Sequence, residues 1–370
     1  MADNVTFQKS ALATPASGEV VAADDVGGAK YQRVKLVLGD DGSVDGDAKS
    51  VDTKLRVSAM PYLYDIAEGH VADHVSLIKR GANEDVGTTE EVVGMQGGVL
   101  TYLTSAEQLK VKSSDGNDTG VALSTGTATA GSATTIEDDG ATFSTDTVAV
   151  GDIVLNDTDG SYGIITAVDS ETKLTVYDFF SGTGNAVELN DAYRIVNANG
   201  TGAAVVEVAG VDANYDALHE FVILNGANVI TTTASFLRAH TMFIRCAGST
   251  GKNVGNIDAN DNANAVTLCR IGIGHNQSLS GYWTVPNGKT FYLVQGAASD
   301  ASNKGTTIRM YARKYLEPFM LSYVLKLYGS SQIIPYPVPM KLPAKTDIEV
   351  RAISIQAGGN VAVTFNGWYE

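Results

Sequence analysis

Clustered positive charge is the first thing this sequence lacks. Its 26 lysines and arginines face 42 aspartates and glutamates, for a formal net charge of -16. Phosphate backbones are bound by groups of Lys and Arg that displace counterions, so this balance argues against nucleic acid as a partner. Cysteine is scarce, at two residues, too few for a disulfide framework. Cys246 and Cys269 lie in or beside the apolar runs MFIRCAG and AVTLCRIGIG. They read as two small buried thiols, with a bridge between adjacent strands as the other option. No apolar run reaches the roughly 18 residues of a membrane-spanning helix, so no membrane partner is expected. The opening MADNVTFQKS has neither the basic nor the apolar region of a signal peptide, and the chain is expected to be made in the cytoplasm or exported without a cleaved leader.

Glycine, at 39 of 370 residues, and small polar side chains fill the space that charge leaves, since charged residues make up only 18%. That composition suits short strands and tight turns, an all-β chain long enough for two or three domains. Its centre is Gly200–Arg245, where the apolar runs Val205–Val208, Glu220–Leu224, Val229–Thr233 and Met242–Arg245 are separated by turn-rich segments. The pattern predicts an antiparallel meander.

Residues 1–60 hold acidic, turn-rich stretches at Glu19–Asp25 and Asp40–Asp47 around an alternating strand, Tyr31–Leu38. With no long apolar run to bury, they are expected to form an extended arm that docks on a neighbouring subunit. Tyr31, Arg33 and Lys35 on its strand are candidate partner contacts. Asp40, Asp41, Asp45 and Asp47 lack the order and the closing glutamate of a calcium loop, and a solvated turn is the reading preferred. Residues 61–98 are expected to be a helix and a connecting loop. In Pro61–Arg80, Tyr62, Ile66, Val71, Val75 and Ile78 recur near helical spacing, and Gly81 follows a basic last turn. His70 and His74 would share a face of that helix, but no further ligand completes a metal site. The body is placed at 99–120 and 200–370, starting with strands Val99–Thr104 and Leu109–Lys112.

Between those two pieces, residues 121–199 hold strands Asp152–Leu155, Tyr162–Val168, Lys173–Val176 and Asp191–Val196, with hairpin chemistry at Asp159-Gly160, and read as an inserted small β-module. Ala247–Asn264 is expected to be a long loop able to bind, with Asp258 and Asp261 as a remote calcium option. Tyr282 and Trp283 are adjacent on a strand, so at most one is expected to be buried and the other to meet a partner or a sugar. The prolines of Pro335–Pro343 place that run on a sheet edge or subunit surface, with Pro335, Tyr336 and Pro337 as contacts. Thr346–Ile355 and Val361–Trp368 are expected to pair as a hairpin. No catalytic constellation and no cofactor-binding motif is visible, which favours a non-enzymatic protein over a depolymerase built on paired carboxylates.

Several segments carry a resemblance. GEVVAADDVGGAKYQRVKLVLGDDG is similar to a leader in tail and virion structural proteins of tailed bacteriophages. Asp85–Gln96, GVDANYDALHEFVILNG, TTTASFLRAHTMFI, YWTVPNGKTFYL, PYPVPMKLPAKTDIEVRAI and the closing GWYE fall in the order seen in virion structural proteins of marine and cyanobacterial phages. Residues 121–199 resemble a different phage β-module. The resemblance implies a subunit of the virus particle with an antiparallel sandwich or jelly-roll-like body, other capsid or tail proteins as partners, and a homo-oligomer, a trimer by preference. It leaves head and tail open, and it leaves open a receptor-binding fibre or spike that contacts host surface glycan through Ala247–Asn264 and Tyr282–Trp283.

Overall fold

A computed structural model describes strands within 3–7, 19–26 and 29–32, and residues 74–184 and 186–370. The chain divides into two units, 1–70 and 71–370. In the first, β1 (Asp3–Phe7), β2 (Glu19–Val26) and β3 (Ala29–Gln32) form an antiparallel sheet in that order. Glu19–Asp25, expected as an acidic turn, is therefore strand: Val20 and Val21 pair with Thr6 and Val5. Tyr31 pairs with Asp24. Arg33, Lys35 and the aspartates of 40–47 lie outside the described residues.

The second unit is all-β, with no helix among the described residues. Its strands are β4 (Val75–Val86), β5 (Glu91–Val92), β6 (Glu107–Ser113), β7 (Gly120–Thr127), β8 (Ala130–Ser132), β9 (Thr135–Glu137), β10 (Ile153–Asn156), β11 (Ser161–Ser170), β12 (Lys173–Phe180), β13 (Ala192–Ala198), β14 (Ala203–Val211), β15 (Ala217–Ile223) and β16 (Ile230–Phe236). They continue with β17 (Arg238–Ala247), β18 (Ile257–Asn260), β19 (Thr267–Ile271), β20 (Tyr282–Thr284), β21 (Phe291–Asp300), β22 (Thr306–Arg313), β23 (Met320–Leu327), β24 (Ser331–Leu342), β25 (Asp347–Ser354) and β26 (Gly359–Tyr369).

The helix expected over Pro61–Arg80 is overturned where it can be seen, because β4 begins at Val75 and pairs along its length with β26; residues 61–73 lie outside the described residues. The buried face of β4 carries Lys79, Gly81 and Asn83, whereas Ile78 is exposed. A strand whose inward positions are polar or bare shows no period-two hydrophobicity, and helical spacing then stands out by default. Val99–Thr104, expected as a strand, joins no ladder.

Residues 120–198 supply one seven-stranded sheet, β7-β13-β10-β11-β12-β9-β8. One core gathers Ile136, Phe143, Val154, Ile165, Leu174 and Ile195. The Asp159-Gly160 turn is a four-residue loop between paired Asn156 and Ser161, with Gly160 at φ 68°. The chain enters and leaves this sheet at one place, since the Asn199 amide donates to the Thr119 carbonyl at 3.0 Å.

Gly200–Arg245 does supply four strands, but not a meander. β14 sits between β15 and β17, while β16 crosses to the sheet β16-β6-β18-β19. Val206, Val208 and Met242 from one sheet meet Leu109, Ile257 and Ile271 from the other in a single core. A strand that crosses to the facing sheet offers that core the same alternating residues as one that stays, so apolar runs alone do not distinguish them. The expected loop Ala247–Asn264 contains β18, paired with both β6 and β19.

The C-terminal part is a sandwich of β20-β25-β22-β23, with β5 on β25, against β24-β21-β26-β4. Phe291, Leu293, Ile308, Ile348, Val350 and Phe365 lie in its core. The last two strands are not a hairpin: β25 and β26 belong to the two facing sheets. Pro335, Pro337 and Pro339 do fall on an edge, because β24 pairs only with β21 and so needs no donor on its outer side.

Candidate functional site

Tyr282 and Trp283 are not exposed aromatics; both are buried, at 4% and 6%. Both faces of β20 are covered. The Tyr282 hydroxyl donates to the Leu268 carbonyl at 2.7 Å beside Val92 and Leu100, and burial raises its pKa well above the usual tyrosine value. Trp283 packs on the other side, 5.2 Å from Phe291 and 5.7 Å from Tyr369 between ring centres. The rule that opposite faces of a strand differ in burial fails where a short strand lies between two cores.

The remaining metal options are occupied by protein partners. Asp258 takes two bonds from Arg270, at 2.6 and 2.8 Å, and Asp261 accepts the amides of Ala265 and Val266. His74 pairs with Glu370 at 2.6 Å, while His70 lies outside the described residues. Among the described residues no three His, Cys, Asp or Glu side chains gather as a metal site. Cys246 and Cys269 are both free thiols, and burial pushes Cys246 up to about 11.

Two surfaces remain. The first is the open side of the sandwich. β23 and β24 are edge strands of the two facing sheets and are joined by a short turn, so both edges open together. Between them lies an apolar slot lined by Gly296, Ile308, Tyr323, Ile334, Tyr336 and Phe365. Outside it, Met320, Leu321, Val324, Ile333 and Val338 are exposed, the last at 82%. Pro335 and Pro337 are exposed on this edge, and Tyr336 packs against the core.

The second surface is an aromatic and guanidinium stack on the outer face of β22 and β25. The register sets Arg313 opposite Asp347, Tyr311 opposite Glu349 and Arg309 opposite Arg351. Arg313 donates to Asp347 Oδ2 from Nε at 3.1 Å and Nη2 at 2.6 Å. Arg238 donates to Oδ1 at 3.2 Å, as does Thr284 at 2.7 Å. Arg351 holds Glu349 with two bonds of 2.9 Å, and Glu90 bridges Arg309 and Arg351. The guanidinium of Arg313 lies 4.2 Å from the Tyr102 ring and 4.5 Å from Phe319, and that of Arg351 lies 4.7 Å from Tyr311. Burial, together with Glu349 and Asp347, holds Tyr102 well above the ordinary tyrosine value. At one end of the stack, Tyr215, Lys314, Tyr315 and Lys345 line an open cleft.

None of these charged residues is a candidate in the sequence reading, although the signal is present. Arg309, Tyr311 and Arg313 alternate with core residues, as do Asp347, Glu349 and Arg351, which is the period of a strand whose outer face is built for ion pairs. Comparison with protein-family models, with curated proteins and with solved structures returned no match to the chain.

Proposed function

We propose that this chain is a non-enzymatic structural subunit of a tailed-bacteriophage virion, joined to its neighbours through the open side of the C-terminal sandwich. The single observation behind this reading is the pair of long apolar edges on one side of that sandwich. Folded proteins ordinarily guard an edge with charge, proline or a bulge. β24 is guarded against ladder formation by its prolines, whereas β23 has no proline within Met320–Leu327 and only Lys326 and a bulge between Leu321 and Tyr323. A neighbour can therefore add a strand to β23 while its side chains rest on Ile333, Val338 and the slot. The resemblance of several segments to phage virion proteins supplies the setting: capsid decoration or a head or tail appendage, a jelly-roll-like winding of the body, residues 121–199 as an insertion, and a homotrimer.

Light scattering at micromolar concentration tests it. The expected mass is three times 38.8 kDa, falling to one protomer in Val324→Lys with Val338→Lys. A wild-type monomer whose double variant still enters particles would overturn the reading.

A further inference from the structure

We propose that the cleft walled by Tyr215, Tyr315 and Lys345 binds a carboxylate-bearing saccharide. Three loops meet there, those joining β14 to β15, β22 to β23 and β24 to β25. Each contributes a non-glycine residue in the left-handed backbone region: Tyr215 at φ 69°, Leu316 at 62° and Lys345 at 63°. Bulky side chains adopt that conformation only when their surroundings impose it, and such residues concentrate at ligand sites. Leu316 is 88% exposed, so no burial offsets its conformation.

Charge points the same way. In a chain of net charge -16, four cationic side chains, Arg238, Arg313, Lys314 and Lys345, line this cleft with two carboxylates, Asp347 and Glu317. Asp347 is already saturated by Arg238, Arg313 and Thr284. Among the described residues the Lys345 ammonium makes no ion pair with a carboxylate; its neighbours are rings. It sits 5.2 Å from the Tyr315 ring and 5.5 Å from the Tyr215 ring, and the two rings stand edge to face at 5.7 Å and 86°. Rings hold an ammonium without neutralising it, which leaves it able to pair with an incoming anion. Tyr315, 52% exposed, offers a flat apolar surface of the kind on which the C–H face of a sugar stacks. A neutral sugar would leave the ammonium groups unused, and a long polyanion would be repelled by the rest of the chain. A short acidic saccharide satisfies both.

Isothermal titration of the full chain with tetragalacturonate, against the neutral galactose tetramer and sodium sulfate, tests this. The acidic tetramer should bind at least tenfold more tightly than the neutral one and weaken with added salt. Lys345→Asn, which keeps a residue tolerant of the left-handed backbone, and Tyr315→Ala on the exposed loop should each weaken it at least tenfold. Equal affinity for the neutral tetramer, no binding at all, or no effect of either substitution would overturn the proposal. Sulfate competing as well as the tetramer would also overturn it, by showing a site that reads charge alone. The edge variants Val324→Lys and Val338→Lys should leave this binding intact, which keeps the result separate from the assembly reading.

Discussion

The sheet of β7–β13 and the C-terminal sandwich handle the same two problems, edges and buried charge, in opposite ways. In the first, one edge strand, β8, is only three residues long, too short to template another chain, and its Ser132 carbonyl accepts the Val187 amide. Its buried carboxylates are satisfied from within residues 120–198: Asp152 accepts the Ala149 amide at 2.8 Å, Asp191 that of Glu188 at 2.8 Å, and Asp138 the Tyr193 hydroxyl at 2.7 Å. In the sandwich, β23 and β24 leave long apolar edges. Glu349 there is held by the nearby Arg351, but Asp347 draws Arg238 from outside the sandwich, across 109 positions. The first region satisfies these carboxylates with its own residues, and the second depends on the assembled molecule and on what meets its edge.

The largest test of that contrast is to remove residues 121–199 and join Gly120 to Gly200. The ends already lie together, so the loop-closure cost is small. The self-contained sheet is not free of the body, however. Its outer face shares a core with Ala204, Val205 and Phe221, and baring Val205 and Phe221 exposes apolar surface worth about 1.5–3 kcal/mol each. The shortened chain is therefore expected to aggregate as it stands and to be soluble and folded when it also carries Val205→Thr and Phe221→Thr. Aggregation of that repaired chain, seen by sedimentation and circular dichroism, would assign residues 121–199 to the core of the body.

Next in size is the pair Asp347→Ala and Asp157→Ala. Both tryptophans, Trp283 and Trp368, lie in the sandwich, so their fluorescence reads the Asp347 variant as urea is added, and far-ultraviolet circular dichroism reads the Asp157 variant in the other sheet. Asp347 is buried, with its side chain 3% exposed, and removing it strands two guanidinium groups, at a cost of about 3–5 kcal/mol. Asp157 and Arg194 pair with side chains 34% and 31% exposed, and losing that contact costs less than about 1 kcal/mol. A similar midpoint shift for both would erase the distinction.

Much of the strand inventory was legible, because alternation in YGIITAV or DIEVRAI and the turns between runs depend on neighbours in sequence. Sheet membership was not, since β16 crossing between sheets and β25 facing β26 depend on packing that apolar runs do not encode. The edge position of Pro335 and Pro337 was readable from a missing donor. Tyr282 and Trp283 misled because burial on both sides of β20 is decided by Leu100 and Tyr369, far away in sequence. The cleft escaped notice because its cations come from three loops and gain meaning only when Asp347 is seen to be already occupied.

A further effect, below that of Asp347→Ala, concerns Lys79, which the sandwich buries. Lys79 Nζ donates to the His240 carbonyl and to Thr241 Oγ1, both at 2.8 Å. Burial lowers its pKa from 10.5 to about 8. Below pH 8 the amine is charged in both folded and unfolded states, so the full desolvation cost is present. Between 8 and 10.5 the folded state has released a proton that the unfolded chain still holds, so stability rises with pH. Above 10.5 both states are neutral and the dependence ends. The shift corresponds to about 3 kcal/mol at most. Lys79→Met has no such proton to lose. Wild type should therefore gain on the variant by up to that amount across this window, read from urea midpoints of the tryptophan signal. Parallel curves would mean that water reaches Nζ, and that the sandwich tolerates a buried cation no differently from a surface one.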